Sequence, residues 1–169
     1  MESPTEREDI LYAMLQRVLH NHIVTHRLGY PETLAACVSV LGYVLYIMSE
    51  TWEDAPALTE RTVAALKQRM RALPTPPSLP PFAAAAPDTA PSPQYYELGT
   101  ALATFLTTAG IEYDMSVDAT WRVMLFLLAD VMAVPLHHGA RTSEEVDASI
   151  EALRDELPVV MQLWDEERE

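Results

Sequence analysis

Apolar residues recur along this chain at intervals of three and four, in runs separated by Gly and Pro, and no run alternates with the period of two that a half-buried strand needs. Ile10, Leu11, Met14, Leu15, Val18, Leu19 and His22 form the first stripe, which ends before Gly29 and Pro31. Ser3, Pro4, Thr5 and Glu6 precede it with the spacing of a capping box and Pro at the first helical position. A second helix is predicted over residues 31–49, and a third from Asp54, as N-cap, to Leu73 with Val63, Leu66 and Met70 on its apolar face. Ser92 and Pro93 start a fourth, with Leu98, Leu102, Phe105 and Leu106, which stops near Gly110. Ser116 caps a fifth, with Trp121, Leu125, Leu128 and Met132, which is expected to stop before Pro135. Thr142 and Glu145 open the last with a second capping-box spacing. Its stripe is Val146, Ile150, Leu153 and Leu157, and Pro158 is expected to kink or restart it before Val160, Leu163 and Trp164. The pattern predicts an all-α six-helix bundle.

Residues 74–93 hold eight prolines, interleaved with Ala83 to Ala86, so neither a helix nor a central strand persists there and residues 74–92 read as a linker. A shift of 87 residues superposes the apolar stripes of the two halves without a gap. Leu11, Leu15 and Leu19 fall on Leu98, Leu102 and Leu106; Cys37, Leu41 and Val44 fall on Met124, Leu128 and Val131. The expectation is one helical domain, 1–169, made of two three-helix units, 3–73 and 93–169, related by a pseudo-two-fold. Each unit has a nearly all-apolar helix between two amphipathic ones, and a helix apolar all round must be buried, so the two central helices are expected to pack on each other. An ancestral unit of this kind would be a self-complementary homodimer.

Composition sharpens this picture. The chain has 169 residues, and a domain of that size buries about 70% of the surface of its unfolded chain, enough to be stable without staples. Cys37 is the single cysteine, which excludes an intrachain disulfide and implies a reducing compartment. The net charge of −14 repels phosphate backbones and anionic lipid, so no nucleic-acid partner is expected. Glu2, Glu6, Glu8 and Asp9 are the reverse of a signal-peptide start. The uncharged run 33–49 reaches only the lower end of a bilayer span, and Asp130 interrupts the other apolar run. No membrane insertion is expected, and the reading is of a soluble, cytoplasmic protein. Lys67 is the only lysine beside ten arginines, a bias that a GC-rich coding sequence produces.

Candidate chemistry is sparse. His20, His22 and His26 share one helix, and His22 with His26 has the i, i+4 spacing that lets two imidazoles meet one metal, yet no third ligand accompanies them. His137 and His138 fall in an expected loop beside Gly139. Cys37, inside the most apolar helix, reads as a small hydrophobe, and the five scattered glycines form no phosphate loop. Asp130 among Leu127, Leu128 and Val131 requires a partner, and Tyr43, its counterpart under the shift, and Arg122, on the same helix, are the candidates.

The acidic positions from Glu144 to Glu156, and again over 165–169, form a solvated face that also attracts a basic surface. Leu163 and Trp164 are candidate anchors for a partner helix, or caps on the core, and Asp130 is the third candidate partner-binding residue. These observations predict a non-enzymatic protein–protein interaction module, an adaptor or regulator with an acidic surface and a helical groove, with no cofactor and no catalytic residue. Its partner would be another protein with a basic surface or an amphipathic helix, or a second copy in a homodimer. The alternatives are a small-ligand or metal-binding bundle using His22, His26 or Asp130, and a viral regulator of host signalling or cell death.

Overall fold

The structure, a computed structural model, describes residues 4–49, 54–73, 79–82 and 93–168. It contains six helices and no β-strand among the described residues: α1 (Pro4–His26), α2 (Tyr30–Met48), α3 (Ala55–Ala72), α4 (Pro93–Glu112), α5 (Val117–His137) and α6 (Ser143–Arg168).

Local chemistry sets the helix ends. α1 closes with Arg27 in the left-handed region (φ 51°) and Leu28 N–H donating to the Ile23 carbonyl at 3.2 Å, and α4 closes the same way at Asp114 (φ 49°), with Met115 N–H donating to the Gly110 carbonyl. The Ser116 hydroxyl accepts from Ala119 N–H at 3.1 Å and starts α5. At α6 the predicted box is formed: Thr142 Oγ1 accepts from Glu145 N–H at 3.2 Å and the Glu145 carboxylate accepts from Thr142 N–H. Ser3 and Ser92 lie outside the described residues.

Several boundaries differ from the sequence pattern. α5 runs through Pro135 to His137, so His137 is helical rather than part of a loop. Proline removes one donor, and this close to the end the loss is confined to the last turn. α6 continues through Pro158 without a restart, and α4 ends at Glu112, near Gly110 as expected. Asp54 occupies the N-cap of α3 in a helical backbone conformation, and its side chain makes no capping bond. In the proline-rich segment, Leu79 is buried and the Phe82 ring packs against Tyr30 at 5.7 Å, so this part of it lies on the bundle.

The two central helices, α2 and α5, pack on each other, and Leu41, Val44, Leu128 and Val131 are all within the core. The outer helices do not cover the central helix of their own half. α1 and α3 pack on α5, while α4 and α6 pack on α2, and α1 meets α4 and α3 meets α6. At Gly42 a Cβ would come within 2.3 Å of Val160 Cγ1, so glycine is what lets α6 approach α2 there. Buried threonines return their hydroxyls to the backbone, Thr33 to Gly29 and Thr59 to Ala55, and Thr62 also accepts from Trp121 Nε1 at 3.0 Å. α2 and α5 are both long and apolar enough to cross a membrane; 78% of the α5 window and 50% of the α2 window lie inside the bundle.

Candidate partner-binding groove

α1 and α3 flank α5 while α4 and α6 flank α2, so the bundle presents a face on each central helix. On the α5 face the space is taken. Tyr12 of α1 meets Phe126 edge to face at 5.9 Å, and the Arg69 guanidinium of α3 lies 4.1 Å from the centre of the Phe126 ring. Asp130 is buried beneath them. Its carboxylate accepts from the Tyr12 hydroxyl and, at 2.9 Å, from Gln16 Nε2. Arg122 pairs instead with Glu8 at 2.6 Å, and the Tyr43 ring packs on Trp164 at 4.9 Å, so neither residue expected to partner Asp130 does so. Burial raises the Asp130 carboxyl above the usual range, against the lowering effect of Tyr12, Gln16 and Arg69. Burial, and then the neighbouring Asp130, also raise the Tyr12 phenol.

On the α2 face the positions that α4 contributes are small, and a groove of about 1000 Å³ lies open. α2 supplies its floor with Leu34, Ala35, Val38 and Ser39. α4 supplies one wall through Gly99, Thr100, Ala103 and Thr104. α6 supplies the other along a single face that includes Glu156, Val159, Val160, Leu163 and Glu167. Val159 and Leu163 are 57% and 53% exposed, an apolar rim that the bundle leaves in water. Trp164 is held by its own chain, its Nε1 donating to the Ser39 carbonyl at 3.0 Å. Arg141 stacks 4.8 Å over the ring of Tyr30, whose buried hydroxyl has no hydrogen-bond partner among the described residues.

Leu163 and Trp164 thus lie together on the groove, and Asp130 lies on the other face. The remaining candidates are dispersed. His22 and His26 stand with ring centres 5.5 Å apart; His22 Nδ1 is 3.0 Å from the Val18 carbonyl and His26 Nε2 is 4.0 Å from the Glu97 carboxylate. Among the described residues no three His, Cys, Asp or Glu side chains converge as a metal site. Cys37 is fully buried, and burial pushes its thiol up to about 12, which suppresses the thiolate. The groove's floor and α4 wall escaped the sequence reading, because small residues become a signal only beside the large ones that fill the equivalent space. Comparison with family models, with curated proteins and with solved structures finds no match for this chain.

Proposed function

We propose that this chain is a non-enzymatic interaction module that receives a helical segment of another protein in the groove between α4 and α6. The form of the groove carries the reading: its α6 wall follows one helix face over residues 149–167, about 27 Å long, with Val159 and Leu163 exposed along it. An amphipathic helix presents apolar anchors at i, i+3, i+4 and i+7, which suits a site of this shape. A small ligand is the second reading, since about 1000 Å³ is the upper end of the range for such sites. Elongation along a helix favours the first. Selection from a displayed library of helix-forming peptides, run in parallel on the natural chain and on Gly99→Tyr, tests it. Binders with helical apolar spacing that Gly99→Tyr loses support the reading; binders that Gly99→Tyr retains contradict it.

The same reading takes the two halves as duplicated three-helix units joined by residues 74–92. Exchanging α1, α2 and α3 for α4, α5 and α6 leaves the main helix contacts unchanged in kind, with α1–α5 matching α2–α4 and α3–α5 matching α2–α6. The left-handed residues that end α1 and α4, Arg27 and Asp114, lie at the same 87-residue shift, as do the N-caps Gly29 and Ser116. In this reading the module is soluble and cytoplasmic, supported by the burial of its two most apolar helices against each other.

A further inference from the structure

The filled face describes, position by position, what the open face lacks. At the 87-residue shift, Tyr12 corresponds to Gly99 and Phe126 to Ser39, so aromatic-sized volume is missing from the α2 face. Nothing lies within 4 Å of a Cβ added at Gly99. The charge is inverted as well, because Glu156 stands where the other face has Arg69. Asp155, Glu156 and Glu167 line the groove without an ion pair to any described residue, and Arg141 is the single basic residue along it among those described.

We infer that the occupant of the groove is a basic amphipathic helix of another protein, carrying a bulky apolar or aromatic anchor. The inference rests on the groove being a helix-docking site and adds the chemistry of what docks. The anchor fills the space that Tyr12 and Phe126 fill on the other face, and Lys or Arg beside it meets the unpaired carboxylates of α6. An acidic helix is repelled by the same rim, and the net charge of −14 extends the preference beyond contact distance.

Three synthetic helix-forming peptides of about 18 residues separate the alternatives, identical in their Phe and Leu face and bearing Lys, Gln or Glu on the flanks. Each is titrated calorimetrically into the full chain, into Gly99→Tyr and into Glu156→Arg, with circular dichroism to establish that each variant is folded. The Lys peptide is expected to bind about tenfold or more tightly than the Glu peptide at about 50 mM salt, with the gap narrowing at about 300 mM. Glu156→Arg is expected to narrow it further, and Gly99→Tyr to abolish binding. Equal binding of all three peptides, still lost in Gly99→Tyr, overturns the basic occupant and leaves helix docking standing. Absence of binding by every peptide, or binding that Gly99→Tyr does not alter, overturns the docking reading itself. A peptide-free dimer in sedimentation that Gly99→Tyr converts to a monomer assigns the groove to a second copy and overturns the basic partner.

Discussion

On the α5 face Tyr12, Phe126 and Arg69 close over a buried Asp130, whereas on the α2 face Gly99, Ser39 and Glu156 leave a groove of about 1000 Å³. α1 and α3 flank α5 as α4 and α6 flank α2, and the side chains that meet on the two faces differ in size and charge. The closed face converts its large residues into packing and hydrogen bonds that support the fold. The open face leaves Val159 and Leu163 in contact with water, where covering them is a source of binding energy for a partner. With the proposed docking site on the open face, stability and recognition would reside on opposite sides of one seam.

That seam predicts the largest effects. Leu41 of α2 and Leu128 of α5 are fully buried in the core, and replacing either with Ala should cost about 2–5 kcal/mol in urea unfolding. A change below about 0.5 kcal/mol would contradict the packing of the two central helices. Opening the closed face comes next: Tyr12→Ala should cost about 2 kcal/mol, less than for a fully buried aromatic, because the ring is only partly buried but its loss also strips Asp130 of a donor. Gly42→Ala should cost about 1–3 kcal/mol by forcing Val160 away from α2. Closing the open face should do the reverse. Gly99→Tyr should leave stability unchanged or raise it by up to about 1 kcal/mol, since glycine is a poor helix residue and the space is free.

The smallest effect is a pH dependence confined to the closed face. Asp130 holds its proton more tightly folded than unfolded, so its contribution is greatest at low pH and is lost as pH rises from about 4 through the raised folded value. Asp130→Asn should flatten the stability profile across that interval, as read from urea midpoints at successive pH values. A profile identical to that of the natural chain would show that Asp130 is not held in this environment. Tyr12 adds an alkaline limb, with stability falling above about pH 10, that Tyr12→Phe should remove.

Much of the architecture was legible because a stripe such as Leu11, Leu15 and Leu19 states which face of a helix is buried, and Ser116 and Thr142 carry their capping chemistry locally. A stripe does not state what the face is buried against. Asp130 therefore pointed along the chain to Arg122 and across the shift to Tyr43, while its donors come from α1, which packs on the central helix of the other half. Pro135 misled for a related reason: it removes one backbone bond near the end of α5, and packing of α5 on its neighbours outweighs that local loss. In the groove, Leu163 and Trp164 were visible as large residues at the edge of a stripe, whereas Gly99, Ala103 and Ser39 signal only by what they lack.

Where a basic helical peptide contacts the bundle distinguishes the two faces, and methyl NMR of the full chain during titration with the Lys peptide measures it. Shifts concentrated at Val38, Val159 and Leu163, with the methyls of α1 and α3 unmoved, are the predicted result. Shifts centred on α1 and α3, or none at the α2 groove, would contradict it.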